Sequence, residues 1–282
     1  MAEIYTVKKV LNNNVLIASH ASDPEVVLIG KGIGFGKKNG ETIQTDSVEK
    51  IFTLANENEQ EQYKQLLFSV DEKFIGIMHD VISYIEEQFE TEVNEHIHIA
   101  LTDHIAFAIK RIQQGMDLRN PFLIETQTLY PKEYKVAEDI IEKINKNYYV
   151  ELPEGEVGFV ALHIHSALTD RQLSEINQHS RLITSLVKMI EDQLGIRIER
   201  NSVDYLRLVR HMRHTIDRVI DGEKVQEPEK LAQLLKHEYP LCYNVSWKLI
   251  KVMQRSLNKP VFEAEAVYLT MHLQRLSNKE SK

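Results

Sequence analysis

The spacing of hydrophobic positions changes once along this chain. Up to residue 54 they fall in short β-rich runs: Tyr5 to Leu11, Val15 to Ala18, Glu25-Val26-Val27-Leu28-Ile29, and Ile51-Phe52-Thr53-Leu54. Turn residues punctuate them. Asn12-Asn13-Asn14 follows the first run, Asp23-Pro24 the second, and Asn39-Gly40, a strong hairpin dipeptide, precedes the last. The pattern predicts a small antiparallel sheet. A sheet of about 55 residues buries little on its own, so pairing with a second copy is a natural expectation. Residues 56–63, ANENEQEQ, are polar and read as a linker. Beyond them the period becomes helical, with Phe74, Ile77, Met78, Val81, Ile82 and Ile85 three and four apart. The same rhythm returns over 97–112, 134–147, 156–168, 181–194, 203–220, 229–238, 243–257 and 263–276. The predicted fold class is a small antiparallel β-sheet domain followed by all-α helical bundles.

The helical part repeats itself. A shift of 109 places Tyr130-Pro131 on Tyr239-Pro240, Tyr134 on Tyr243, Val136 on Val245 and Ile141 on Ile250. It also places Glu154 on Glu263, Glu156 on Glu265 and His163 on His272, without a gap. A shift of 107 aligns LTDHIAFAIKR (101–111) with LVRHMRHTIDR (208–218), so that His104 meets His211, Ile109 meets Ile216 and Arg111 meets Arg218. Apolar matches between amphipathic helices arise by chance; a Tyr-Pro pair, two glutamates and two histidines in register argue against it. The chain therefore divides into 1–58 and two copies of one helical domain, 64–170 and 171–282.

Composition adds limits. Hydrophobic residues make up 43% and charged residues 27%, which is ordinary for a globular protein. No stretch reaches the roughly 18 apolar residues of a membrane span, and MAEIYTVKKV lacks the apolar core of a signal peptide. A soluble cytoplasmic protein with no membrane insertion is expected. The single cysteine, Cys242, excludes an internal disulfide and a Cys-rich zinc site. The net charge of -8 argues against a protein that coats nucleic acid over its whole surface. Residues 1–40, however, carry a net +2 and the remainder -10. An anionic ligand would therefore sit on the N-terminal segment.

The stretch Gly30–Gly36 fits neither nucleotide fingerprint. No Gly-Lys-Ser/Thr follows at Walker spacing, and Phe35 and Lys37 stand where G-x-G-x-x-G would end. Read as a strand, its glycines alternate with Ile33 and Phe35, flanked by Lys31, Lys37 and Lys38. Missing side chains let a backbone approach a ligand closely. Phe35 offers a stacking face, the lysines meet phosphates, and Asn12 to Asn14 offer amides to base edges, as in sheets that bind irregular RNA. A glycine-rich strand that merely bends the sheet reads equally well from chemistry alone.

Four of the twelve histidines, His104, His163, His211 and His272, recur in matching places. Imidazole serves as metal ligand, general base or phosphoryl acceptor. A metal reading would use His96-x-His98, His104 and His163-x-His165. Positions i and i+2 on a helix point about 200° apart, and Arg210 stands where the first copy has Asp103. In a phosphoryl-acceptor reading, Arg111 and Arg218, each seven residues after a repeated histidine, attract the phosphoryl group; ordinary surface ion pairs are the alternative for both. Glu154 and Glu156 suit the positive end of a helix dipole. No nucleophile-and-base set appears, and no cofactor is implied. The alternative function is a histidine-rich, metal-dependent phosphohydrolase with an accessory β-domain.

Several segments carry a resemblance. KKVLNNNVLIA (8–18) and GKGIGFGKK (30–38) resemble the N-terminal RNA-binding domain of the BglG/SacY family of bacterial transcriptional antiterminators. LTDHIAFAIKR and PEGEVGFVALHIHSAL resemble the first of that family's two phosphotransferase regulation domains; LVRHMRHTIDR and AEAVYLTMHLQRL resemble the second. The resemblance spans essentially the whole chain in the family's order. It implies a non-enzymatic regulator that binds, as a homodimer, a leader-RNA hairpin overlapping an intrinsic terminator. The family's RNA contacts fall on Lys9, Asn12, Asn14, Gly30, Lys31, Gly32 and Phe35, with Lys31 where relatives often carry arginine. Its phosphorylatable histidines correspond to His104, His163, His211 and His272. The implied phosphoryl donors are a sugar permease (enzyme II) of the phosphotransferase system, which inactivates through the first regulation domain, and the phosphocarrier protein HPr, which often activates through the second.

Overall fold

The computed structural model describes residues 4–11, 13–20, 25–30, 32–48, 50–52, 65–66, 70–223 and 229–278. The predicted turn at Asp23-Pro24, the linker 56–63 and the end of the last predicted strand, Thr53-Leu54, lie outside these residues.

Five strands form one antiparallel sheet: β1 (Ile4–Val10), β2 (Val15–Ser19), β3 (Val26–Ile29), β4 (Thr42–Gln44) and β5 (Lys50–Phe52), in the order β4-β1-β2-β3-β5. Val15 pairs with Ile29 and Leu16 with Leu28, so successive residues of β2 and β3 face opposite sides. Both sides are buried. Leu16, Ala18, Val26 and Leu28 pack with Tyr5, Val7, Ile33 and Ile43 on one side. On the other, Val15, Val27 and Ile29 pack against Leu66, Ile75 and Ile99. Part of the sheet is thus covered by helical residues of its own chain. The register of β1 against β2 slips between Val7 and Lys9, a bulge that leaves both Lys8 and Lys9 exposed.

Ten helices follow among the described residues: α1 (Glu72–Phe89), α2 (His96–Gln113), α3 (Leu123–Leu129), α4 (Pro131–Tyr148), α5 (Glu154–Thr169), α6 (Leu173–Leu194), α7 (Val203–Asp221), α8 (Glu229–Glu238), α9 (Pro240–Leu257) and α10 (Ala264–Ser277). Caps set their ends. Asp71 accepts the Phe74 N–H at 2.7 Å ahead of α1, and Ser202 accepts the Tyr205 N–H at 3.2 Å ahead of α7. Gly195 and Gly222, with φ of 66° and 72°, end α6 and α7.

Contacts gather the chain into two compact units, one of Met1–Asp117, Glu138–Pro153 and Ala167–Asp170, the other of Leu118–Ala137, Glu154–Ser166 and Arg171–Lys282. In the first, α1 and α2 pack together, and the later part of α4 is tied to α1. Tyr84 donates to Asp139 at 2.9 Å, Lys73 to the Asn147 carbonyl at 2.7 Å and Tyr148 to Asp71 at 3.0 Å. The second unit is built on Leu186, Tyr205, Leu208, Met212, Leu249, Met253, Leu269 and Leu273 from α6, α7, α9 and α10. Within it α3 lies on α6 and α7, and the buried Tyr205 hydroxyl donates to the buried Glu125 carboxylate at 2.9 Å. Gly158 on α5 meets residues 120–123 so closely that a Cβ there would stand 2.5 Å from Asn120 Nδ2 and 2.7 Å from Leu123 Cδ1.

Four local expectations change. The glycine-rich stretch is no strand: residues 32–36 are turns, with Ile33, Phe35 and Lys37 N–H groups bonding the carbonyls of Gly30, Gly32 and Gly34. Gly32 and Gly36 sit at φ 71° and 69°, a left-handed geometry no strand adopts. The Asn39-Gly40 turn leads into β4, a strand the pattern did not predict. It brings Gly40 N–H and Val7 O within 2.8 Å. Helix α3 is also additional, and α6 starts eight residues before its predicted beginning at 181.

Candidate nucleic-acid interface and histidine pair

Two corners of the sheet are joined into one surface. The asparagine corner between β1 and β2 takes three amides from the glycine turn. Gly30 N–H bonds Asn14 O at 3.0 Å, Gly32 N–H bonds Asn14 Oδ1 at 2.7 Å and Gly34 N–H bonds Asn13 O at 2.8 Å. Asn14, one of the expected RNA contacts, places its side-chain oxygen in the turn's own scaffold. Phe35 stands out of the turn, 77% exposed. An aromatic ring so placed is an unspent stacking face. Lys38 is exposed, Lys37 lies 3.8 Å from Glu41, and Lys9 projects from the bulge in β1. Gly30 is buried at the end of β3 and Gly32 is exposed at the turn. Asn12 and Lys31 lie outside the described residues.

The repeated histidines sit on helices: His104 on α2, His163 on α5, His211 on α7 and His272 on α10. His104 is half-buried in the first unit, and His163 is buried in the second. His211 and His272 come together, their rings 4.8 Å apart and tilted by 34°. Burial chiefly, with His211, Arg275 and Arg207 adding repulsion, pushes His272 down to about 4. It is a neutral imidazole at pH 7.

Arg218 does not reach toward this pair as a free cation, nor does it form a surface ion pair. Its Nε and Nη2 donate to Glu265 Oε1 at 3.0 and 2.7 Å, and Glu265 is 1% exposed. Thr215 Oγ1 donates to Glu265 Oε2 at 2.8 Å, and His211 Nε2 lies 3.5 Å from the same oxygen. Burial opposes the carboxylate's charge, but the nearby His211 ring and the bonds from Thr215 and Arg218 more than offset it and hold Glu265 below the usual carboxylate range. Sequence reasoning took the repeated glutamates as dipole partners and missed this role. The signal was present: a glutamate and an arginine recur together, Glu156 with Arg111 and Glu265 with Arg218, among apolar positions. Arg111 itself is buried, its guanidinium 5.4 Å from the Phe107 ring centre.

A second polar group was also missed. Tyr130 is buried with the His165 ring 4.0 Å on one side and the Arg213 guanidinium 5.6 Å away. His165 Nδ1 meets Glu133 at 2.9 Å, and Arg213 and Arg171 both bind Asp217. Burial pushes the Tyr130 hydroxyl up to about 12. Its counterpart in the repeat, Tyr239, is exposed, so the shared Tyr-Pro marks common ancestry of sequence rather than a common contact. Among the described residues no three His, Cys, Asp or Glu side chains are placed to hold a metal ion. No helix there is long and apolar enough to cross a membrane.

A small sheet with an exposed aromatic turn, followed by two histidine-bearing helical repeats, defines a modular nucleic-acid regulator. Comparison with known families finds three matches along the chain. Residues 5–61 match the CAT RNA binding domain, and residues 79–167 and 184–276 each match the PRD domain. The chain belongs to the BglG/SacY family of transcriptional antiterminators. It is 61% identical over 277 residues to the PtsGHI operon antiterminator of Bacillus subtilis (strain 168), covering 98% of this chain and 99% of that one. It is 40% identical over 280 residues to the GlcA/glcB genes antiterminator of Staphylococcus carnosus (strain TM300), covering 99% and 98% respectively. A solved structure described as the crystal structure of GlcT CAT-PRDI shares 62% identity and a TM-score of 0.54, covering 59% of this chain and 99% of that one.

Proposed function

We propose that this protein is a cytoplasmic antiterminator of an operon for a phosphotransferase-system sugar, and take glucose as that sugar from the chain's resemblance to glucose-operon antiterminators. Residues 1–58 bind, as part of a homodimer, a hairpin in the nascent leader RNA that overlaps an intrinsic terminator, and holding that hairpin lets transcription continue. Residues 64–170 and 171–282 are the two regulation domains. Their acceptors are His104 and His163, then His211 and His272. The sugar permease phosphorylates the first domain when sugar is absent and switches the protein off; HPr phosphorylates the second and favours the active dimer. The chain acts as a regulator and not as a phosphohydrolase.

The observation that carries this reading is the exposed Phe35 on a turn clasped to the asparagine corner, within the segment that matches an RNA-binding family. The neutral His272 beside His211 supports the phosphoryl-acceptor role. The decisive experiment transfers labelled phosphate from HPr and from candidate permeases onto the four His→Ala variants, and measures hairpin binding by gel shift in parallel. Label lost at a specific histidine, together with altered hairpin binding, is the expected result. Full hairpin binding with no label on any variant or on the native chain would remove the switch; no hairpin binding would remove the function.

A further inference from the structure

The two helical repeats share one corner of backbone. Tyr130 N–H bonds the Thr126 carbonyl at 2.9 Å and Tyr134 N–H the Tyr130 carbonyl at 2.8 Å. Tyr239 N–H bonds the Leu235 carbonyl and Tyr243 N–H the Tyr239 carbonyl, both at 2.9 Å. The two corner tyrosines hold nearly the same angles, φ -126° and ψ 56° against φ -132° and ψ 58°. In the first repeat this corner is docked. Tyr130 lies beside the Arg213 guanidinium of α7, Asp217 braces Arg213 at 3.1 Å, and Glu125 accepts from the Tyr205 hydroxyl. In the second repeat the same corner is bare. Leu234 stands in the place of Glu125 and Tyr239 in that of Tyr130. Leu234, Tyr239 and the following Leu241 are 55%, 37% and 57% exposed.

The other half of the joint recurs as well. The shift of 107 puts Arg213 on Ala106 and Asp217 on Lys110 of α2. The sheet covers α2 earlier, at Ile99. Ala106, Phe107 and Lys110 instead border a cleft of about 350 Å³ between α1 and α2, and Phe107 is 58% exposed. In the docked repeat the place of Phe107 belongs to His214, a polar residue left to water. Polarity thus changes on both sides of the joint together. The docked joint pairs a carboxylate with a hydroxyl and a guanidinium with a ring. The bare halves offer leucines on one side and Ala106 with Phe107 on the other, while Lys110 keeps a cation for a tyrosine ring. Clustered apolar side chains left in water mark contact sites. A repeat array without a polar end cap leaves its last docking face open.

The geometry points to a head-to-tail contact between two copies of this chain. The α8–α9 corner of one copy, with Leu234, Tyr239 and Leu241, docks into the α1–α2 cleft of the next at Ala106, Phe107 and Lys110. It repeats between molecules the joint that Tyr130 makes within one. Different surfaces meet, so the contact is heterologous, unlike a two-fold pairing of identical faces. It uses neither the glycine turn nor the repeated histidines, and its failure would leave the antiterminator reading standing.

The test mixes isotope-labelled and unlabelled full-length chains and applies a zero-length carbodiimide cross-linker. Mass spectrometry then looks for Lys110 of one chain joined to Glu238 of another. That mixed-isotope cross-link is expected in the native protein. Phe107→Glu and the double variant Leu234→Glu/Leu241→Glu change exposed positions only, and circular dichroism checks that each keeps its helices. Each variant alone is expected to lose the cross-link by roughly tenfold or more, the weight of an anchor residue at an interface. An equimolar mixture of the two regains it, because one supplies an intact corner and the other an intact cleft. No Lys110–Glu238 cross-link between native chains would overturn the proposal. So would native-level cross-linking in either variant alone, or a mixture that stays as bare as its components.

Discussion

At the scale of single residues, the chemistry is set by partners that the sequence does not display. Asn14 and Phe35 were both candidates for RNA contact, yet the structure gives them different work. Asn14 spends its side-chain oxygen on Gly32 N–H, while Phe35 spends nothing and stands in solvent. Phe35→Ala is expected to weaken hairpin binding by one to two orders of magnitude, the loss of about 1–3 kcal/mol of base stacking. Its thermal unfolding should be unchanged, because the ring buries little in the free protein. A gel-shift titration beside a melting curve checks both halves. Glu265 shows the opposite case. As a letter it was an acidic residue at a helix start, and only the fold brings Thr215, Arg218 and His211 to one carboxylate. Long-range polar pairing has no period along the chain, so it stays hidden unless a repeat exposes it twice.

At the scale of elements, periodicity was enough wherever apolar positions alone define the face. The helices with wide apolar stripes and the strands β1, β2 and β3 follow the predicted spans closely. The failures are instructive. Helix α3, LIETQTL, turns Glu125 and Thr126 inward, both buried, so its inner face is partly polar and its pattern illegible. Strand β4 has one buried residue, Ile43, too few to show alternation. The glycine turn alternated like a strand, but positive φ at Gly32 and Gly36 belongs to backbone sterics and not to hydrophobic order. Close helix approach is equally silent in sequence. Gly158→Ala would set a methyl against Asn120 and Leu123 and is expected to cost about 1–3 kcal/mol. A lowered midpoint in urea unfolding, with the helical signal retained in the folded state, is the measurement.

At the scale of the whole molecule, the repeat fixes architecture while environment separates the copies. Tyr130 is enclosed and Tyr239 is not. The order of sheet and two helical repeats was thus legible, whereas the inequality of equivalent residues was not. Titration should reveal the second copy first. His272 has a folded value of about 4 against about 6.5 unfolded. Between those values the unfolded chain binds more protons, so stability is full above pH 6.5 and falls as the pH drops toward 4. Glu265, also depressed, adds a loss in the same direction once the pH falls below its unfolded value of 4.5. The expected loss from His272 is about 2–3 kcal/mol, read from urea midpoints at several pH values. His272→Gln should flatten the profile between pH 6.5 and 4 while leaving the more acidic loss in place.

The three amides that join the glycine turn to the asparagine corner carry one more implication. A loop already frozen by its own backbone surrenders little motion when it docks, so recognition would be rigid and fast instead of adaptive. The same rigidity makes it intolerant. A change such as Gly32→Ala, which cannot hold φ 71° without strain, would blunt recognition through lost preorganisation, and calorimetry would register it as a steeper entropic penalty.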